Sequence, residues 1–168
     1  MNISAGQAKD SYLTFIVEGR KYAVNVQSVL HVSRIAKPDT LPDAPEYVFG
    51  VMNYAGNIIP VIDTAFKTGA SKNVLPLRDN YTLIVFEIDT NGEKICYGAV
   101  VDKVDNVSEF LASDIKPVAN TDITREYSSF VSGIITEESG SFIFVILPDK
   151  LFTLENFRSV DDLLPVSE

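Results

Sequence analysis

Apolar and polar positions alternate with a period of two along most of the chain. The runs YLTFIVE (Tyr12–Glu18), YAVNVQSVLHV (Tyr22–Val32), NIIPVID (Asn57–Asp63), YTLIVFEI (Tyr81–Ile88), KICYGAVVDKVDNV (Lys94–Val107), SSFVSGIIT (Ser128–Thr136) and SFIFVIL (Ser141–Leu147) are rich in β-branched and aromatic residues. That pattern predicts strands with one buried face. Turn dipeptides punctuate them: Glu18-Gly19, Ala55-Gly56, Asn91-Gly92 and Ser139-Gly140. Asn91-Gly92 is the strongest hairpin signal, because a type I′ turn needs positive φ at both central residues. Helix is predicted only in TAFKTG after Asp63 and in PDKLFTLENF, which opens with Pro148 in its first turn. The polar stretch KTGASKNVLPLR, Lys67–Arg78, reads as a connector between two halves.

The two halves repeat one another. KYAVNVQSVLHVS aligns without gaps on CYGAVVDKVDNVS, which puts Tyr22 on Tyr97, Val26 on Val101, Val29 on Val104, Val32 on Val107 and Ser33 on Ser108, each 75 residues on. Further along, VFGVMNYAGNIIPVID parallels FVSGIITEESGSFIFVIL, with Gly50 on Gly133 and Gly56 on Gly140 at offsets of 83 and 84. A repeat of this length predicts two copies of one small β unit. About five strands per copy suits a small closed barrel, which removes exposed edges. Two such barrels, joined near residues 67–80, must pack through an apolar face, because each is marginal alone.

Composition narrows the function. The 168 residues are 46% hydrophobic, enough to bury a substantial core, and carry 14 basic against 23 acidic side chains for a net charge of -9. That balance opposes binding to nucleic acid and docking on anionic lipid, both of which need Lys and Arg. No apolar run is long enough to span a bilayer, and the polar opening MNISAGQAKDS lacks a signal-peptide pattern. The single cysteine, Cys96, cannot form an internal disulfide. The expectation is a soluble cytoplasmic protein with no nucleic-acid partner and no membrane insertion.

Candidate chemistry is thin. His31 is the only histidine and sits in strand register, with no GxSxG nucleophile elbow to serve. Cys96, in KICYGAV, reads as a small core residue. Zinc wants several Cys or His ligands, so no metal is expected. DTNGEK at Asp89 lacks the later carboxylates of a calcium loop and reads as a hairpin turn. Asp102 and Asp105 read as the wet face of a strand, with Val101, Val104 and Val107 turned elsewhere. Glycine-rich phosphate loops are absent, and the 7 tyrosines and 10 phenylalanines are scattered like core residues. With no catalytic constellation and no expected cofactor, the chain reads as a β scaffold that binds proteins.

At this point the sequence resembles the CheW-like family of chemotaxis coupling proteins, from about Tyr12 to Phe157. YLTFIVEGRKYAVNVQSVLHVSRI is similar to the family's opening strands. DTLPDAPEYVFGVMNYAGNIIPVIDTAF is similar to its signature, a Pro-x-x-Pro segment followed by Gly, two hydrophobics, Asn-x-Arg-Gly and a hydrophobic run ending in Pro-Val-hydrophobic-Asp. YTLIVFEID with YGAVVDKVDNV, and DIKPV with SSFVSGIITEESGSFIFVILPDKLF, follow in the family's order.

The resemblance implies an all-β fold of two intertwined five-stranded SH3-like barrels, with short helices near the end of each half. Its expected layout is one CheW-like domain over 1–168. A first barrel half spans 12–66, a connector 67–80, a second half 81–157 and a tail 158–168. It also implies a non-enzymatic adaptor with two partners: the regulatory domain of a CheA-like histidine kinase, and a methyl-accepting chemoreceptor tip seated in a groove between barrels. Other CheW-like domains are further expected partners.

Two positions depart from the pattern. The signature arginine is here Ala55, and a glutamate of the preceding strands is here His31; the resemblance pairs those two positions as an ion pair. Their joint replacement points to a changed surface, and to a divergent member in a pilus-motility or other chemosensory pathway. The candidate interaction residues are Val29, His31, Val32, Gly50, Asn53, Tyr54, Ala55 and Gly56. A different class of function stays open on the residues alone: a barrel domain with a ligand or catalytic pocket between its two barrels. Polar residues with shifted pKa values in a deep pocket would mark that class, and a shallow apolar groove the adaptor.

Overall fold

The computed structural model describes residues 8–71, 76–77, 79–118 and 129–153. The far end of PDKLFTLENF, the tail 158–168, and residues 72–75 and 78 of the connector lie outside them. Ten strands run in chain order: β1 Lys9–Val17, β2 Arg20–Asn25, β3 Val29–Arg34, β4 Val48–Tyr54, β5 Asn57–Asp63, β6 Thr82–Thr90, β7 Glu93–Val101, β8 Lys103–Leu111, β9 Val131–Thr136 and β10 Phe142–Ile146. Two one-turn helices close the two series, α1 Thr64–Lys67 after β5 and α2 Pro148–Leu151 after β10.

The strands form two five-stranded sheets, ordered β8-β1-β2-β10-β9 and β3-β6-β7-β5-β4. Replacing each strand by its partner in the repeat, five strands along, turns one order into the other. Neither sheet belongs to one copy. β1 and β2 of the first copy join β8, β9 and β10 of the second, while β6 and β7 of the second join β3, β4 and β5 of the first. The crossings are short. Val26–Ser28 forms a single 3-10 turn, with the Asn25 carboxamide oxygen accepting from the Gln27 amide at 2.9 Å, and carries the chain from β2 to β3. Asp102 alone carries it from β7 to β8.

The hairpins follow the turn chemistry of the sequence. At Glu18-Gly19, Ala55-Gly56 and Asn91-Gly92 both turn residues have positive φ (48° and 75°, 50° and 85°, 53° and 84°), the left-handed pair that a type I′ turn requires. Asp89 braces the last of these, its carboxylate accepting from the Gly92 amide at 2.9 Å. Ser139-Gly140 lies in a longer turn that the Gly140 amide closes on the Glu137 carbonyl.

Exchange of strands between copies produces three cores. The largest lies between the sheets, where Phe15, Tyr22 and Ile146 of one meet Ile62, Phe86 and Tyr97 of the other. Each such side chain taken out of water contributes about 1.5–3 kcal/mol. Ile59, Val61, Leu83 and Val85 fill one barrel, and Ala23, Ile135, Ile143 and Val145 the other. The Tyr97 hydroxyl, fully buried, donates to the Pro148 carbonyl at 2.6 Å and ties α2 to the inter-sheet core.

Candidate functional site

β-bulges decide which residues reach the surface beside the inter-sheet core. In β3, Val29 opposes Phe86 and His31 opposes Val85, so Leu30 is an extra residue. Val29 and Val32, three apart, therefore share one face, since their partners Phe86 and Ile84 are two apart on β6. β8 repeats this: Val104 opposes Phe15, Asn106 opposes Thr14, and Asp105 is the extra residue, which puts Val104 and Val107 on one face. Val29 and Val104 pack on the inter-sheet core. Val32 and Val107, one step further out, are 39% and 60% exposed.

The two bulged residues differ in character. Leu30 is 43% exposed. Asp105 lies 3.3 Å from the Lys21 ammonium, which also bonds Glu137 at 3.0 Å. The Glu137 hydrogen bond, the first cause, and those of Asp105 raise the Lys21 pKa. Of the two carboxylates in VVDKVDNV, then, Asp105 is ion-paired, while Asp102 accepts the Glu18 amide at 2.9 Å. Val101 is buried as expected, but Val107 is the most exposed of the large apolar side chains among the described residues.

The β4–β5 hairpin carries the remaining candidates. Its tip is Ala55-Gly56, and the Asn53 carboxamide oxygen accepts from the Gly56 amide at 3.2 Å. The Tyr54 ring faces the barrel interior and meets the exposed His31 ring with centroids 5.7 Å apart. The structure thus brings His31, Tyr54 and the neighbouring Ala55 together where the outer strands β3 and β4 approach. Gly50 stands apart from this group. It is buried, beside the bulge at Phe49, at φ 151° and flattened against the Asp39 backbone, and a Cβ there would collide with the Asp39 carbonyl oxygen. That carbonyl and amide pair with Val51 at 2.8 and 2.9 Å. Gly133 repeats the device: Lys116 pairs with Ile134, and a Cβ on Gly133 would lie 2.6 Å from the Lys116 carbonyl oxygen. Gly50 serves the backbone, whereas Val32, His31 and the hairpin tip face solvent.

Five exposed apolar residues were missing from the candidates, Leu147 at 38% among them. Leu30 and Val107 are two; Ile58 and Phe142, at 46% and 54% exposed, are equivalents 84 residues apart. The repeat itself was the signal for Val107, Ile58 and Phe142, whose equivalents are apolar, but not for Leu30 and Leu147, whose equivalents are Asp105 and Asp63. Core residues recur in both copies because both are packed, and exposed apolar residues that recur at the same offsets mark a shared surface pattern.

Asp63 is the one buried carboxylate among the described residues. It caps α1, accepting from the Phe66 amide at 3.3 Å, and its second oxygen has no hydrogen-bond partner among the described residues. Burial, then the charges of Glu18 and Asp102, push its pKa up. The space beside it, shared with Tyr81, Val100 and Asp102, is about 10 Å³, room for one water molecule. A larger open cleft of about 400 Å³ lies past the end of β3, between Ile35, Lys37, Pro38, Phe49 and Leu77. Among the described residues, no group of three or more His, Cys, Asp or Glu is arranged to hold a metal ion, and no helix is long and apolar enough to cross a membrane. Cys96 is half-buried against the barrel core of Ile59 and Leu83, and burial raises its thiol pKa, which disfavours the reactive thiolate.

The family profile described as "CheW-like domain" matches residues 11–156. The chain is 26% identical over 144 residues to the chemotaxis protein CheW of Rhizobium meliloti, covering 85% of this chain and 87% of that one. It is 24% identical over 152 residues to the chemotaxis protein CheW of Klebsiella aerogenes, covering 90% and 87%. In structure it is similar to the scaffolding protein TtCheW of Thermoanaerobacter tengcongensis, with a TM-score of 0.71, 26% identity, and coverage of 89% of this chain and 96% of that one.

Proposed function

This chain belongs to the CheW-like domain family, and from that membership we propose that it is a non-enzymatic adaptor joining a chemoreceptor tip to the regulatory domain of a CheA-like histidine kinase. Scaffold proteins of chemotaxis are its relatives by sequence and by fold. The observation that carries the finer reading is the exposed apolar margin of the inter-sheet core, Leu30 and Val32 on one sheet and Val107 on the other. Solvent-exposed Leu and Val continuous with a packed core are what a partner surface covers. His31, Asn53, Tyr54 and Ala55 supply polar and aromatic groups where β3 meets the β4–β5 hairpin. A cytoplasmic location goes with this role, and other CheW-like domains are partners of the same kind. The reading of a ligand or catalytic pocket has little support, since the enclosed space beside the buried carboxylate takes no more than a water.

The test is a titration of the full chain against the CheA-like regulatory domain and the receptor signalling tip from its own genome. Binding with Kd below about 0.1 mM, a weak and transient regime, is expected. Loss on Val32→Asp and Val107→Lys, with folding intact, would assign it to the apolar margin. Absence of binding to either partner at that concentration overturns the reading.

A further inference from the structure

The repeat is broken electrostatically along its two equivalent margins. β3 exposes Leu30, Val32 and Arg34; the equivalent positions of β8, 75 residues on, are Asp105, Val107 and Glu109. Val32 and Arg34 share a face, because their partners Ile84 and Thr82 are two apart on β6. No Asp or Glu occurs from Gly19 to Pro38, in a chain with 23 of them, while Arg20, Lys21, Arg34 and Lys37 all fall there. Lys21 is neutralised by Asp105 and Glu137, and Arg20 lies over the Phe144 ring at 5.1 Å. Arg34 and Lys37 are exposed and form no ion pair among the described residues. Lys37 lines the 400 Å³ cleft past the end of β3, as does Asp79.

We propose that the β3 margin, Leu30, Val32 and Arg34 with Lys37 beyond, docks a partner surface that is apolar and carries carboxylates. The inference rests on the adaptor reading and adds the sign of the partner's charge. At the β3 margin the exposed cations Arg34 and Lys37 flank the exposed Leu and Val with no carboxylate beside them in the sequence from Gly19 to Pro38, whereas on β8 the exposed Lys103 is outnumbered by Asp105 and Glu109. The β8 margin, with Asp105 and Glu109, repels the same partner. A partner approaching either of two otherwise equivalent margins is thus directed to β3, which fixes its orientation on the scaffold.

Two synthetic amphipathic helical peptides test this, identical in their leucine stripe but flanked by glutamates in one and lysines in the other. Each is titrated into the full isotope-labelled chain and followed by amide NMR. The net charge of -9 attracts the lysine peptide everywhere, so a preference for the glutamate peptide has to come from the local site. The expected result is that the glutamate peptide shifts the amides of Leu30, Val32 and Arg34 and weakens with added salt. Arg34→Glu should weaken it about tenfold, an exposed attraction turned to repulsion, and Glu109→Arg should leave the β3 shifts in place. Equal or tighter binding of the lysine peptide overturns the proposal, as do shifts centred on Val107 or no binding at about 1 mM. Concentration-dependent broadening at β3 and β8 without peptide overturns it in favour of a second copy. If the kinase and receptor titrations succeed while this one fails, only the charge assignment is lost.

Discussion

Asp63 ends the family's Pro-Val-hydrophobic-Asp run, and its contacts show why a carboxylate sits there and what it costs. One oxygen caps α1; the other is buried without a partner among the described residues and near Glu18 and Asp102. Burial first, and those charges second, hold its pKa above the ordinary value. The native state therefore binds this proton more tightly than the unfolded chain does. Stability from this group is full below the ordinary carboxylate value, about 3.9, falls as pH rises through the raised native value, and is level above it. Asp63→Asn keeps a good cap and removes the titration. Urea denaturation across pH should show that fall in the wild type and not in Asp63→Asn, with the variant equal or more stable at neutral pH. Asp63→Ala should lose about 1 kcal/mol through the cap. Two glycines give a second comparison. Gly50→Ala places a methyl against the Asp39 carbonyl and should cost about 2–4 kcal/mol. Gly56→Ala meets open space and should cost only the left-handed strain, about 1–2 kcal/mol. Equal costs in denaturation would show that backbone proximity is not the constraint at Gly50.

The β4–β5 hairpin and β3 make the element whose departures from the family pattern are most specific. The His31 ring lies 5.7 Å from that of Tyr54, tilted by 43°, and Tyr54 is the neighbour of Ala55 in the turn. Ala55→Arg alone adds an exposed charge at the tip, at φ 50°, and should change stability by well under 1 kcal/mol. His31→Glu alone puts a carboxylate beside Tyr54. Combined, the two should be more stable than the sum of the single effects by about 0.5 kcal/mol, the scale of an exposed pair. A double-mutant cycle on thermal stability measures the term, and strict additivity means that the family's ion pair has no counterpart in this hairpin.

For the whole molecule the governing fact is that each sheet draws strands from both copies. A fragment ending in the connector at Ala70 holds β1 and β2 without β8, β9 and β10, and β3, β4 and β5 without β6 and β7. Its share of the inter-sheet core, Phe15 and Tyr22 on one wall and Ile62 on the other, lacks Ile146, Phe86 and Tyr97. Each half expressed alone should be unfolded by circular dichroism and amide dispersion. The two mixed should regain the dispersion of the intact chain, at the cost of association. An independently folded half would contradict the strand exchange.

Much of this was present in local pattern. Period-two runs and turn dipeptides foretold the strands and hairpins because side-chain alternation and left-handed φ are properties of a few adjacent residues. The gapless alignment of KYAVNVQSVLHVS on CYGAVVDKVDNVS foretold two equivalent units, and family blocks in order led to the fold. Tertiary structure alone decided the rest. Gly50 was a candidate interaction residue on sequence; the structure shows in addition that Asp39, eleven positions earlier, lies against it, which leaves no room for a side chain. Val29 and Val32 are an odd number of residues apart, so alternation puts them on opposite faces; the bulge at Leu30 puts them on one. A bulge depends on how a strand meets its partner, β6 for β3, some fifty residues distant. The chain therefore carried the units and their hairpins in its local pattern. Which residues of those units reach solvent was decided by pairing between copies, because exposure depends on what the opposite sheet covers.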